Sequence, residues 1–302
     1  MTSEFVHLHN HSDYSLLDGA QRIDQLVNTI DDLNMDAVAL TEHGNMFSVL
    51  PYYKQAKKAG IKPIIGCEIY VAVGSRFEKK ARSDGGWGNN HLILLAQNFA
   101  GYRNLMKLVT AGYLEGFYYR PRIDMDLLRE YSDGLICMSA CLKGVVPEKM
   151  LKGDYEGAKK EALLFSEIFQ DRYYLEIQNH GIPEEEQNLK NMKKLSQDLN
   201  LPLVCTNDAH YAKKEHWEAH DIHICLGTGK ERSDPNRLRY ATPEFYFKTQ
   251  DEMHKLFKEF PGAIENTRKI ADSIDITLPI GESHLPNFPI PKEANISDPD
   301  EY

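Results

Sequence analysis

Short apolar runs alternate with amphipathic stretches along most of the chain. The runs are "FVHLH" (5–9), "DAVALT" (36–41), "PIIGCEIYVA" (63–72), "HLILLA" (91–96), "GLICMS" (134–139), "YYLEIQ" (173–178) and "LPLVCT" (201–206). They are nearly continuous in apolar residues, which suits strands buried on both faces, as in a parallel sheet covered by helices. Between them, Ile23, Leu26, Val27, Ile30 and Leu33 keep the three-and-four spacing of one helical face, and Leu189, Met192, Leu195 and Leu199 repeat it. The acidic opening "PEEEQ" (183–187) suits a helix N-terminus, where the macrodipole favours negative charge. Repeated strand–helix units predict an α/β fold with parallel strands and right-handed crossovers, either a doubly wound sheet or a barrel. Two stretches break the pattern. Residues 74–90, "GSRFEKKARSDGGWGNN", read as a mobile loop, and the proline-rich polar tail after about residue 277 reads as a linker leading elsewhere.

Composition narrows the class. The 302 residues are 42% hydrophobic, enough for one large core. No signal peptide is visible and no apolar run approaches a membrane span, so a soluble, cytoplasmic protein without a membrane partner is expected. Five cysteines, an odd number with no Cys-x-x-Cys pair, fit reduced thiols better than a disulfide scaffold. With 35 Lys and Arg against 45 Asp and Glu, the net charge of −10 argues against a broad basic face for nucleic acid but not against a local phosphate pocket. Twelve histidines stand out.

Three of them fall in "HLHNHSDYSLLDG" (7–19), at alternate positions. In an extended strand His7, His9 and His11 would share one face, a costly arrangement unless something binds them. The same residue types recur where the predicted strands end: His43 in "TEHG", Glu68 in "GCE", Cys141 in "SACLKG", and Asp208 and His210 in "TNDAH". His91 is the exception, because it opens its run. Active sites of barrels and open α/β sheets gather at the carboxyl ends of strands, and imidazole, carboxylate and thiolate are the side chains that hold transition metals. Taken singly, a strand-end histidine is more often an ordinary hydrogen-bonded residue, and Cys141 an ordinary buried thiol. Glu68 inside an apolar run is harder to dismiss, since a buried carboxylate needs a partner or a metal. The set as a whole points to one shared polynuclear site.

These motifs, with "NNHLILLA", "YYRPRIDM", "LEIQNHG", "TPEFYFKT" and "HLPNFPIP", resemble the PHP (polymerase and histidinol phosphatase) domain family from about Phe5 to Pro291. Within it they resemble the branch found at the N-terminus of bacterial DNA polymerase III alpha subunits. The resemblance implies a distorted TIM-like barrel of seven β/α units over residues 1–275, followed by an extended tail, 276–302, toward a missing polymerase domain. It implies nine metal ligands: His9, His11, Asp18, His43, Glu68, His91, Cys141, Asp208 and His210. It selects Asp18 over Asp13 and leaves His7 outside the ligand set as a deeper residue that could orient a ligand. Glu42 departs mildly from the aspartate that many relatives carry before this histidine.

Such a set implies two or three divalent ions, zinc, manganese or iron, and phosphoester hydrolysis in which Asp18, Glu68 and Asp208 take part. In the polymerase setting the expected activity is a 3′→5′ exonuclease that removes misinserted nucleotides. Arg120, Arg122 and Lys143 are the candidate phosphate contacts. His180 ends the sixth run near the expected pocket. Residues 213–240, with His216, His220 and His223, are read as a solvated helix and loop. Partners implied by the family are the 3′ end of a DNA primer, the remaining polymerase domains, a separate exonuclease subunit and the sliding clamp. Two alternatives stay open: a catalytically silent metal-stabilised scaffold for the polymerase, and a small-molecule phosphatase or pyrophosphatase.

Overall fold

A computed structural model describes residues 3–80, 88–283, 289–294, 296 and 298. The chain begins with an extended segment, residues 5–11, and continues through α1 (Ile23–Asp32), β1 (Ala37–Leu40), α2 (Val49–Lys58), β2 (Lys62–Ala72) and β3 (Asn89–Ala96). Next come α3 (Phe99–Leu114), β4 (Arg122–Ile123), α4 (Met125–Glu130), β5 (Leu135–Met138), α5 (Val145–Leu151) and α6 (Tyr155–Phe169). It finishes with β6 (Tyr173–Ile177), α7 (Pro183–Leu199), β7 (Leu203–Cys205), α8 (Trp217–Thr228), α9 (Gln250–Phe257) and α10 (Ala263–Ser273).

The strands form one curled sheet in the order β1-β2-β3-β5-β6-β7, with β4 added beside β2. Segment 5–11 links its two ends. His7 bridges Val38 of β1, and Asn10 bridges Ala209 in the stretch after β7. The result is a distorted α/β barrel. The first apolar run is therefore a linking segment with isolated bridges rather than a regular strand.

Every predicted parallel neighbour is parallel except around β3, which runs antiparallel to both β2 and β5. This corrects the expectation of an all-parallel sheet, and it explains His91. Because β3 is reversed, its opening residue lies at the end of the barrel where other strands finish, with His91 opposite Tyr70. A reversed strand reads the same as a parallel one in a periodicity pattern, since both faces are buried either way.

The helices follow the apolar spacing. Ile23, Leu26, Val27 and Ile30 of α1 are buried, and each fully buried aliphatic side chain contributes about 1.5–3 kcal/mol. Helix α7 opens on Pro183 and Glu184–Glu186 and stops at Asn200, which takes the left-handed conformation. The barrel packing runs slightly past the expected boundary at 275. Ile276 and Leu278 are buried, and the Leu278 amide donates to the Tyr53 hydroxyl. Of the expected mobile loop 74–90, residues 81–87 lie outside the described residues, as do 284–288 of "HLPNFPIP". The described start of that loop is anchored, because Arg76 pairs with Asp124 and Glu115. Among the described residues no helix is long and apolar enough to cross a membrane.

Candidate metal centre

The nine residues singled out in the sequence come together at one end of the barrel. Segment 5–11 brings His9 and His11, which extended geometry places on one side of the chain. The turn after β1 brings His43, bridged in register to Glu68 of β2. Glu68 lies at the centre. Its Oε2 is 3.0 Å from His9 Nε2, and its Oε1 is 2.9 Å from His43 Nδ1 and 2.7 Å from His91 Nδ1. Cys141 Sγ is 3.8 Å from the same nitrogen of His91. On the other side, Asp208 Oδ1 lies 3.2 Å from both His9 Nε2 and His11 Nε2. Asp18 closes the ring with Oδ1 3.1 Å from His43 Nε2. The His11 ring stacks between His43 and His210, at 3.9 and 4.4 Å.

Backbone shape contributes at the Asp208 corner. Asp208 has a φ of 45°, the left-handed region that aspartate tolerates better than most residues. Neighbouring Asn207 is pinned: its side-chain amide donates to the carbonyls of Glu244 and Tyr246, and its own carbonyl accepts from His180 Nε2 at 2.9 Å. His180 itself is locked by Glu185 at 2.6 Å and stacks on Phe245. It therefore supports the Asp208 turn from behind and does not line the centre.

Burial makes this concentration of charge consequential. It opposes charge on His9 and His43. The carboxylates of Asp208, Glu176 and Glu68 around His9, and of Asp18 and Glu68 around His43, outweigh it and hold both imidazoles well above 6.5. The histidines pull the other way on the carboxyls of Asp18, Glu68 and Asp208, overcoming burial and leaving them far below the usual range. His11, buried and crowded by His43 and His210, is pushed down to about 3, so its ring is a neutral donor of lone pairs.

Among the described residues, eight of the nine donors fall into three overlapping clusters, with Asp18 beside His43: His11, His43 and His210; His9, His11, Glu68 and Asp208; and Glu68, His91 and Cys141. Within each, the candidate ligand atoms lie within 4.8 Å of one another. His11 Nε2, Asp18 Oδ1 and Asp208 Oδ1 are buried with no directed hydrogen bond, only ion-pair contacts, the nearest at 3.1–3.2 Å, within the cluster. Buried polar atoms left in this state are costly unless an ion satisfies them. The mix of nitrogen, oxygen and sulfur donors fits divalent metal ions.

Several side chains that the sequence reading passed over hold this arrangement. Glu176 of β6, buried, accepts from His9 Nδ1 at 2.7 Å and from the Ala140 amide at 3.0 Å. Its signal was present, a carboxylate within the apolar run "YYLEIQ", the same argument that singled out Glu68. Glu42 is buried against Ser12 and Ser15, and Ser15 Oγ in turn meets His11 Nδ1 and the His43 amide. The stretch 213–240 needs correction. His216 is exposed and His223 half-buried, as a solvated helix would have them, but His220 is fully buried and donates to the Asp18 carbonyl at 2.8 Å. Tyr240 places its hydroxyl 2.9 Å from His210 Nε2 and 3.3 Å from Asp18 Oδ2.

His7 turns away from the centre. Its Nε2 donates to the Lys248 carbonyl and its ring packs edge-on against Phe5 and Phe247, so it orients no ligand. The phosphate candidates separate. Arg122 is 1% exposed, and its guanidinium donates to the carbonyls of Gly116, Arg76 and Glu78. That removes it from the list, because a buried guanidinium engaged by main chain cannot meet a substrate. Arg120 and Lys143 are exposed. Arg120 lies over the Tyr70 ring, which packs edge-on against His91, and Lys143 is two residues beyond Cys141.

With this geometry in view, known proteins give a consistent picture. The PHP domain model matches residues 7–180. The chain is 50% identical over 296 residues to DNA polymerase III subunit alpha of Borreliella burgdorferi, covering 97% of this chain and 26% of that protein. It is 46% identical over 290 residues to DNA polymerase III subunit alpha of Treponema pallidum, covering 96% and 25% respectively. It thus spans about a quarter of the length of these relatives. Among solved structures, a two-domain protein from Bacteroides vulgatus containing a predicted PHP-like metal-dependent phosphoesterase aligns over 68% of this chain and 52% of its own, at 19% identity and a TM-score of 0.38. The chain belongs to the PHP domain family, and within it stands with the DNA polymerase III alpha subunits.

Proposed function

We propose that this chain is a metal-dependent phosphoesterase which, within a DNA polymerase III alpha subunit, trims the 3′ end of a primer strand as a 3′→5′ exonuclease. The observation that carries the reading is the sharing of His11 and Glu68 between adjacent donor clusters. Shared donors would let more than one ion be held in the same site, and paired ions are what metal-assisted displacement at phosphorus uses. The proposed ligands are His9, His11, Asp18, His43, Glu68, His91, Cys141, Asp208 and His210, holding two or three ions of zinc, manganese or iron. When bound, such ions would lower the pKa of water and neutralise charge on the phosphoryl group.

The chain's own residues do the rest. Asp18, Glu68 and Asp208 supply fixed negative charge in a buried setting. Glu176 keeps His9 turned inward, and Ser15 does the same for His11. The half-exposed side is formed by His43, His91 and Cys141, so substrate would arrive there, past Arg120 and Lys143. The other polymerase domains would carry most of the grip on DNA, which accommodates the acidic surface of this piece. A separate exonuclease subunit and the sliding clamp are further proposed partners.

Glu68→Ala and Asp208→Ala test the reading. Both variants should lose bound metal and all turnover of single-stranded DNA 3′ ends. Wild-type activity persisting in metal-stripped protein would overturn it. Metal-dependent melting with no turnover on any phosphoester would instead identify a scaffold, and preferential turnover of histidinol phosphate or pyrophosphate a small-molecule phosphatase.

A further inference from the structure

Tyr240 sits where the centre is most exposed to competition for a lone pair. His210 Nδ1 is 2.8 Å from the Asp208 carbonyl oxygen, which can only accept, so the ring proton is on Nδ1. That leaves the Nε2 lone pair, and the Tyr240 hydroxyl lies 2.9 Å from this nitrogen and 3.3 Å from Asp18 Oδ2, so its single proton is shared between these two acceptors. That is the same lone pair by which His210 would join His11 and His43 around an ion. The ring that carries this hydroxyl is well packed. The Tyr240 ring packs edge-on against Phe245 and His220, at 4.5 and 4.8 Å. Its loop is tied to α8 through Asp221, which pairs with Arg232 and, by two bonds, with Arg237.

We propose that Tyr240 is a switchable donor of the centre: it occupies the His210 lone pair in the metal-free chain and, once displaced, donates to an oxygen of the substrate's reacting phosphoryl group. With Nε2 given to an ion and Asp18 drawn into the ligand set, the hydroxyl would lose both nearby acceptors and swing off the Nε2 axis, while the contacts of its ring with Phe245 and His220 would keep it beside the centre. A phosphoryl oxygen is the acceptor that the proposed substrate brings into that space. The second half of this inference rests on the hydrolytic reading above; the first does not.

Tyr240→Phe separates the two halves, since phenylalanine keeps the ring contacts and removes only the hydroxyl. Titration of the metal-free chain with Mn²⁺ or Zn²⁺ should show about two- to tenfold tighter binding in the variant, the scale of one lost competing hydrogen bond. Turnover of a DNA 3′ end at saturating metal should fall about a hundredfold in kcat, the scale of a lost donor to a developing phosphoryl charge. Unchanged or weaker metal binding would overturn the competition. Unchanged kcat would overturn the donor role. If the wild-type chain hydrolyses nothing, the hydrolytic reading fails, and the metal titration still decides whether Tyr240 competes for His210. Melting of both metal-free proteins controls for folding, with closely matching transitions expected.

Discussion

Glu176 and His9 meet inside the barrel, Oε1 to Nδ1 at 2.7 Å, and this contact aims the opposite nitrogen of the imidazole at Glu68 and Asp208. Glu176 also receives the Ala140 amide, Gln178 and Thr206, so one carboxylate ties β6 to the stretches before Cys141 and Asp208. Partners that orient a ligating histidine typically matter 10- to 100-fold for metal affinity. Glu176→Gln should therefore weaken metal binding by about that factor while keeping the fold. Glu176→Ala should in addition lower stability by about 3 kcal/mol, because it strands buried donors. Metal titration and denaturant melts of the two variants check both parts.

Arg120 and Arg122, two residues apart, should respond oppositely to truncation. Arg122 is buried and satisfies three carbonyls, so Arg122→Ala should cost about 3 kcal/mol through unpaired main-chain groups, with an unaltered KM for DNA in the protein that remains folded. Arg120 is exposed, so Arg120→Ala should leave stability within about 0.5 kcal/mol and raise KM. Melting curves and steady-state kinetics on a DNA 3′ end separate the pair. Reversal of the two phenotypes would reassign the phosphate contact.

Glu42 tests how far support reaches behind the ligands. Its carboxylate meets Ser15 Oγ at 2.5 Å, and that hydroxyl lies 2.9 Å from His11 Nδ1. Burial raises the Glu42 carboxyl above its ordinary value, although the serine contacts oppose this. Glu42→Ala should lower metal affinity about tenfold by freeing Ser15. Glu42→Asp, one methylene shorter, should recover part of that loss. Ser15→Ala should match Glu42→Ala if the effect passes through the hydroxyl, and isothermal titration of the three variants decides it.

How far the sequence alone could be read follows from which physics each residue obeys. Strand and helix positions were legible because burial imposes a local period, as at Ile23–Ile30 and Leu189–Leu195. The gathering of most donor residues was legible because costly side chains recur at the ends of apolar runs, whereas Asp18 followed only from the family resemblance. The reversal of β3 was not, since strand direction leaves no mark on a doubly buried run. His91, opening its run, was its only trace. Arg122 was misassigned because its partners are main-chain carbonyls from residues 76–116, which no side-chain pattern announces. His220 and Tyr240 were missed for a related reason. Their targets, Asp18 and His210, are 202, 222 and 30 residues away; α8 carries His220 without a strong apolar face, and Tyr240 lies in the irregular stretch that follows.

His7 gives the centre's neighbourhood a pH dependence that can be measured without metal. It is fully buried against Phe5, Phe247 and the Lys248 carbonyl, and burial pushes it down to about 4 from an ordinary 6.5. Between those values the unfolded chain binds a proton there that the folded chain refuses, so stability falls as pH drops from about 6.5 to about 4 and levels off below. Above 6.5 both states are neutral at this site and it contributes no slope. In His7→Phe, the metal-free chain should lose up to about one proton's worth of slope in this window, while its loss of stability from other groups continues. Denaturant melts at half-unit pH steps read the difference directly. An identical slope in both proteins would mean that the His7 ring is charged within the fold, and that the Lys248 carbonyl stabilises an imidazolium rather than a neutral ring.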